Sequence, residues 1–295
     1  MPATEPLAAA YRRVRADLLA AFPDTDPSGI SLEARELAAF AAGVPRERFY
    51  LAQTALLDPA VLDALLARRI AGEPLAYLLG QWDFDGRAFK TDRRALIPRD
   101  DSMAVLELFL ELLPKTDEAL TLLDLCTGTG CLGLSAVSDL AELGRSAKVD
   151  LADLSPDALA LASENIELLG QSDRARCLKV DAFVLQTLAP QSYDGCICNP
   201  PYIESAVVPT LDATVVDFEP HMALDGGTDG LDFYRAIALG ARHILRPGGV
   251  LAFEVGYTQA EAVAEILRQS GYTDICTRND LQEIPRAVAA RLPQA

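Results

Sequence analysis

Two kinds of hydrophobic pattern follow one another along the chain. Up to about residue 75, apolar residues recur every three or four positions, as in "PLAAAYRRVRADLLAAF" and "VLDALLARRIAG", with arginines between them. This spacing is typical of amphipathic helices. A segment between them, "LEARELAAFAAGVPRERFY", predicts a helix that ends at Gly43 and Pro45. The first 75 residues are therefore predicted to form a small all-helical unit.

The pattern changes after this unit. "QWDFDGRAFKT" alternates aromatic and polar residues around Asp85-Gly86, which predicts a β-hairpin. From about residue 104, short apolar runs such as "TLLDLC", "AKVDLADL", "ARCLKV", "YDGCICNP" and "GGVLAFEVG" alternate with helical patterns. Alternating strands and helices predict an α/β fold, a mainly parallel sheet with helices on both faces. We expect a helical domain at 1–75, a linker with the hairpin at 76–103, and the α/β domain at 104–295.

Composition restricts the function classes. The chain has 295 residues and a formal net charge of −17, which counts against a nucleic-acid backbone as the main partner. The N-terminus lacks the pattern of a signal peptide, and no run approaches the ~18 apolar residues of a membrane span, so a cytoplasmic protein is expected. No spacing indicates a metal site. The cysteines are interpreted as reduced core residues: Cys126, Cys131, Cys177, Cys196, Cys198 and Cys276.

A glycine-rich turn follows the first strand of the predicted sheet. In "LLDLCTGTGCLG", Gly128, Gly130 and Gly133 match the spacing G-x-G-x-x-G. Glycines allow positive φ angles and let a ligand approach the backbone closely. Asp153 ends the next strand, where an acid is suited to accept hydrogen bonds from ribose hydroxyls. A tight strand–helix turn would explain the glycines alone, but this context favours a nucleoside ligand.

Two further acids, Asp124 and Asp181, indicate which nucleoside ligand is favoured. Asp124 lies in the end of the first strand, where its carboxylate would repel the pyrophosphate of a nicotinamide cofactor. S-adenosylmethionine has a cationic amino-acid end and no phosphate. Asp181 follows the third strand and is placed to accept from an adenine amino group. Together, the three acids favour a methyl donor.

The fourth strand ends in Asn199-Pro200-Pro201-Tyr202. A substrate amide would donate to the side-chain oxygen of Asn199 and to the Pro200 carbonyl, and Tyr202 would pack against the planar group. Proline fixes φ, so the turn is stiff and suited to positioning an amide nitrogen beside a methyl group.

Several segments resemble the HemK/PrmC family of glutamine amide N-methyltransferases. They are "NPPYIE", "DLCTGTG", "GEPLAYLLGQWDFDGRAFKTDRRALIPR", "FEPHMALDGGTDGLDFYRAI" and "LAFEVGYTQ". The resemblance implies a Rossmann-like fold that uses S-adenosylmethionine, with a helical N-terminal domain that holds the substrate. It implies methylation of the Gly-Gly-Gln glutamine of peptide-chain release factors. It further implies that Asn199, Pro200, Pro201 and Tyr202 bind the amide, with Asn199, Pro200 and Tyr202 as the predicted catalytic residues. The donor is expected to be bound by Asp124, Leu125, Cys126, Thr127, Gly128, Gly130 and Asp153, with Asp181 and Ala182 near the adenine.

One segment departs from the family pattern. After "LIPR" the family usually continues Pro-Asp/Glu-Thr-Glu, whereas this chain reads Asp100-Asp101-Ser102-Met103. The alternatives therefore include a relative that methylates a small metabolite or a ribosomal-protein glutamine. A DNA adenine methyltransferase also uses Asn-Pro-Pro-Tyr, but the charge and the absence of a long target-reading insert disfavour it. A non-catalytic binding protein is disfavoured by Asn199 and the glycine turn, and a nicotinamide oxidoreductase by Asp124.

Overall fold

The computed structural model describes residues 4–294, and its contacts divide the chain into two units. The first unit ends at Gly80 and the second begins at Gln81. The predicted limits of the three domains stay a prediction. The hairpin of the predicted linker belongs, by its contacts, to the second unit.

The first unit is mainly helical. Its helices are α1 (Leu7–Ala21), α2 (Pro27–Ala41), α3 (Pro59–Ile70) and α4 (Leu75–Leu79). The apolar stripe of α1 is fully buried, as its spacing predicts. The prediction of an all-helical unit is wrong in one detail, because β1 (Glu5–Pro6) pairs antiparallel with β2 (Leu56–Leu57). Strands of two residues are too short to show an alternating pattern. Met1 to Ala3 lie outside the described residues.

The second unit contains the predicted sheet. Its strands are β3 (Gln81–Phe84), β4 (Arg87–Lys90), β5 (Leu120–Leu125), β6 (Ala147–Asp153), β7 (Ala175–Lys179), β8 (Tyr193–Cys198), β9 (Leu245–Glu254), β10 (Thr273–Asn279) and β11 (Pro285–Arg291). Its helices are α5 (Met103–Leu112), α6 (Cys131–Glu142), α7 (Pro156–Leu168), α8 (Ala213–Val216), α9 (Asp232–Ile244) and α10 (Ala260–Gln269).

The hairpin is confirmed. β3 and β4 pair antiparallel, and Asp85 and Gly86 between them have φ angles of 52° and 68°. Two successive positive φ angles are the signature of the tight turn that matches the twist of a hairpin.

Over the described residues, the large sheet has the strand order β10-β11-β9-β8-β5-β6-β7. The strands from β9 to β7 are parallel, whereas β11 runs antiparallel to β9 and to β10. Helices α5, α6 and α7 pack against one face of the sheet, and α9 and α10 against the other. Neighbouring residues of β5 face opposite cores, with Leu122 in one and Leu123 in the other. The carboxyl ends of the parallel strands therefore meet at one edge, where open α/β sheets bind ligands.

Candidate active site

A cleft opens at the carboxyl ends of the parallel strands. It holds about 1060 Å³ of empty space, which includes the solvent at its open mouth. It is lined by the turn after β5, the ends of β6 and β7, and the start of the Asn-Pro-Pro-Tyr segment. Of the predicted site residues, it is lined by Leu125, Cys126, Thr127, Gly128, Asp153, Asp181, Ala182, Asn199 and Pro201.

The glycine turn has the backbone conformation that its sequence requires. Gly128 and Gly130 have φ angles of 54° and 84°, and Cys126 before them has a φ of 58°. Gly133 lies in the first turn of α6, against β6. A β-carbon there would lie 2.6 Å from Leu151 and 2.8 Å from Asp124, so only glycine lets the helix approach this closely.

Asp124 holds the turn from beneath. Its Oδ2 accepts hydrogen bonds from the hydroxyl of Thr127 at 2.6 Å and from the backbone N–H of Gly133 at 2.9 Å. Its Oδ1 is buried and has no hydrogen-bond partner within residues 4–294. Burial, together with the charge of Asp153, raises the pKa of Asp124 to about 7. Asp124 is buried behind the residues that line the cleft. Of the three predicted acids, Asp153 and Asp181 line the cleft and Asp124 does not.

Asp153 connects the glycine turn to the start of α7. One oxygen accepts from the backbone N–H of Gly128 at 3.0 Å and the other from that of Ser155 at 2.9 Å. Burial raises the pKa of this carboxyl. Each oxygen keeps a lone pair for a further donor. Asp181 accepts from the backbone N–H of Phe183 at 2.9 Å.

The Asn-Pro-Pro-Tyr segment is stiff and enclosed. Asn199 and Pro201 line the cleft, Pro200 is buried, and Tyr202 packs against the core formed with α9 and α10. Burial raises the pKa of the Tyr202 phenol.

The loop of residues 224–230, which contains three glycines and follows the Asn-Pro-Pro-Tyr segment, holds that segment in place. The backbone N–H of Ile203 donates to Leu224 at 3.0 Å, and that of Gly226 donates to Ile203 at 2.8 Å. The side chain of Gln259 donates to the carbonyl of Tyr202 at 2.9 Å. These contacts fix the carboxyl-terminal end of the turn that carries Asn199, and the pairing of β8 with β5 and β9 fixes the other end.

Glu254, which the sequence reasoning did not single out, adjoins this turn. It is the last residue of β9 and is 2% exposed. Burial raises the pKa of its carboxyl to about 7, although hydrogen bonds from Ser102 and Asn199 and the charge of Arg286 oppose that rise. One signal in the sequence was available, namely an acid at the end of the apolar run "VLAFEVG". Its proximity to Asn199 follows only from the strand order.

The segment that departs from the family pattern makes contacts of two kinds, with the network around Glu254 and with the core beside α5. The hydroxyl of Ser102 donates to the Glu254 carboxylate, and Asp101 forms an ion pair with Arg286 at 3.0 Å. Met103 begins α5 and packs against the core on that face of the sheet. Met103 therefore occupies a packing position, whereas Asp101 and Ser102 belong to the network around Glu254.

The interpretation of all six cysteines as core residues is wrong for Cys126 and Cys131, which line the cleft. Cys196 and Cys198 are fully buried, and the other four are partly exposed. Cys126 follows Leu125, the last residue of β5, so the strand predicted from "TLLDLC" ends one residue too late. All six thiols are free.

Comparison with known proteins places this site in a class. Residues 104–217 match the Methyltransferase small domain, and residues 15–80 match the PrmC N-terminal domain. The fold is shared with a methyltransferase from Pyrococcus furiosus, at a TM-score of 0.51 and 17% identity over 77% of this chain and 97% of that one. The predicted Rossmann-like methyltransferase fold is confirmed, and the protein is a methyltransferase.

Two similar relatives identify the family. The release factor glutamine methyltransferase of Cereibacter sphaeroides is 40% identical, over 94% of this chain and 98% of its own length. That of Geobacter sulfurreducens is 37% identical, over 88% of this chain and 89% of its own. The chain belongs to the release factor glutamine methyltransferase family, as the resemblance of its motifs predicted.

Residues 4–294 contain neither a membrane-spanning helix nor a cluster of metal-ligating side chains. None of the helices there has the length and apolar character needed to span a bilayer. No group of three or more His, Cys, Asp and Glu residues in that range is arranged to hold a metal ion.

Proposed function

We propose that the protein transfers a methyl group from S-adenosylmethionine to the side-chain amide nitrogen of a glutamine, that of the Gly-Gly-Gln motif in peptide-chain release factors. The observation that supports this most directly is the position of Asn199. It lies in the wall of the cleft, on a turn that is held by hydrogen bonds at Tyr202 and Ile203 on one side and by strand β8 on the other.

The residues of the cleft fit S-adenosylmethionine. Asp153 offers lone pairs to ribose hydroxyls, and the Phe183 and Phe233 rings, 4.8 Å apart, offer an apolar wall to a base. Asp124, whose buried Oδ1 has no hydrogen-bond partner within residues 4–294, lies behind the lining, where its carboxylate charge would favour a cationic ligand and disfavour a phosphate. When bound, the donor supplies an electrophilic methyl group on a sulfonium.

The chain's own residues position the amide. The side-chain oxygen of Asn199 and the carbonyl of Pro200 are acceptors on one short stretch, and a primary amide has two N–H donors to match. Two accepted hydrogen bonds leave the nitrogen fixed in the plane of the amide, with its remaining face open to the methyl. Positioning of this kind supplies several kcal/mol of a displacement barrier, roughly 7–11 in ideal cases.

The direct test is methylation of a purified release factor. The protein is incubated with methyl-labelled S-adenosylmethionine and release factor, and the modified residue is located by tandem mass spectrometry. We expect one methyl group on the Gly-Gly-Gln glutamine, and none on a release factor in which that glutamine is replaced by alanine. Ribosomal proteins and an extract of small metabolites serve as parallel substrates. Label confined to either of those would contradict the proposal.

A further inference from the structure

Glu254 and Asn199 lie side by side at the edge of the sheet. β8 and β9 are parallel neighbours, and Cys198 of β8 is paired with Phe253 of β9. The next residues along the two strands are Asn199 and Glu254. Asn199 faces the cleft, and Glu254 lies behind it, 2% exposed.

The carboxylate of Glu254 has polar neighbours on two sides. The hydroxyl of Ser102, from the segment before α5, donates a hydrogen bond to it, and the side-chain amide of Asn199 is its second and weaker hydrogen-bonding neighbour. The charge of Arg286 favours the ionised carboxyl. Arg286 is itself held by Asp101 at 3.0 Å and by Asp280 at 3.1 Å.

These contacts determine which way the Asn199 amide points. An ionised carboxylate only accepts hydrogen bonds, whereas an asparagine side chain carries an NH₂ donor on one side and an oxygen acceptor on the other. The side that meets the ionised form of Glu254 must therefore be the NH₂. The oxygen is turned away from Glu254 and is free to accept from a substrate.

We infer that Glu254 is a positioning residue, which holds the NH₂ of Asn199 and so presents the Asn199 oxygen to the substrate amide. This inference rests on the proposed function, because it assigns the substrate an N–H donor. A buried acid at this position is costly for folding unless it is hydrogen-bonded. Its hydrogen bonds are made to Ser102 and Asn199, both of which line the cleft.

The kinetic test is a double-mutant cycle on methylation of the release factor. Glu254→Ala should lower kcat by roughly 10-fold to 10²-fold, by analogy with the loss of partners that orient metal ligands, with donor affinity nearly unchanged. In an Asn199→Ala background, Glu254→Ala should not lower kcat any further, because its effect depends on the Asn199 side chain. Glu261→Ala, at an exposed glutamate of α10, is the matched control. A full additional loss in the Asn199→Ala background would overturn the inference, as would wild-type kcat in Glu254→Ala.

Glu254→Gln provides a second variant in case the alanine variant does not fold. Glutamine has the same shape but can accept or donate, so it no longer imposes one orientation on Asn199. We expect a smaller loss of kcat than in Glu254→Ala, again absent in the Asn199→Ala background. Wild-type kcat in this variant would count against the inference.

A measurement on the free protein separates this inference from the proposed function. The side-chain NH₂ of Asn199 is assigned in ¹⁵N spectra by its loss in Asn199→Ala, and its ¹⁵N relaxation is measured. We expect a rigid NH₂ in the wild type and a mobile one in Glu254→Ala, with no change in Glu261→Ala. If release factor is not methylated but the NH₂ responds in this way, the proposed substrate is wrong and the positioning role stands. An NH₂ that is equally rigid in Glu254→Ala overturns the positioning role, whatever the substrate.

Discussion

The role of the Asn199 side chain can be tested by one substitution that leaves the surrounding turn unchanged. Asn199→Ala removes an acceptor that the proposed mechanism uses in the transition state, and it leaves the braced turn in place. By analogy with the loss of one oxyanion-hole donor, we expect kcat to fall roughly 10²-fold to 10³-fold. Single-turnover methylation of the release factor measures this, alongside donor affinity and thermal melting. An unchanged rate would show that Asn199 is not an amide ligand, and simple unfolding would show that its role is structural.

Asp153 should contribute to donor binding. If its carboxylate accepts from the ribose hydroxyls, Asp153→Ala should weaken binding of S-adenosylmethionine by ~1–3 kcal/mol. Asp157→Ala is the matched control, because Asp157 is an exposed acid of the same segment, in the first turn of α7. Calorimetry with the donor and with NAD gives both the affinity and the specificity. Equal affinity in Asp153→Ala and the wild type, or tight binding of NAD alone, would contradict the assignment.

The sequence predicted the residues of the site better than their connections. The positive φ angles at Gly128 and Gly130 follow from the local motif. The contact between Glu254 and Asn199 does not, because the two residues are 55 positions apart in the sequence. It depends on β9 lying next to β8, which the sequence alone does not specify.

At the scale of elements, the glycine-rich loop should set the position of the Asn-Pro-Pro-Tyr segment. A β-carbon on Gly226 would lie 2.6 Å from the Tyr202 Cα and 2.8 Å from the Pro201 carbonyl oxygen. Gly226→Ala must therefore displace this backbone, at a cost of ~1–3 kcal/mol in stability. We expect a lower melting temperature and slower methylation, with donor affinity largely retained.

Gly29→Ala is the control for that substitution, because a β-carbon there meets no atom within 4 Å. Gly29 lies in α2, so alanine should leave the melting temperature unchanged or raise it. If Gly226→Ala melts and methylates like the wild type, the loop does not position the segment.

The elements that the sequence predicted share strong local signals. α7 begins with Ser155, whose hydroxyl accepts from the backbone N–H of Ala158, and with Pro156 as its first residue. β10 and β11 lacked such signals. The buried part of β11 reads "AVAA", which fits a helix as well as a strand, and its pairing with β9 is a tertiary contact.

At the scale of the whole molecule, buried carboxyls should make stability depend on pH. Burial raises the pKa of both Asp124 and Glu254 to about 7, from ordinary values of 3.8 and 4.5. The folded state therefore binds protons more tightly than the unfolded state. Stability from these groups is fully present below about pH 4 and is lost as the pH rises towards 7. The groups around Glu254 that modulate its titration include Ser102, Asp101, Asn199, Arg286, Tyr202, Tyr234 and Cys131.

Glu254→Gln isolates one of these carboxyls, because glutamine keeps the shape of the side chain and does not titrate. The free energy of unfolding of this variant, relative to the wild type, should improve between about pH 4.5 and pH 7, by on the order of 3 kcal/mol. Denaturant unfolding at a series of pH values measures the difference, and Glu261→Gln controls for the loss of a negative charge from a chain with a net charge of −17. A difference that stays constant over this range would mean that Glu254 is already ionised at pH 4.5 in the folded protein. The same titration bears on catalysis, since only the ionised carboxylate imposes a single orientation on Asn199.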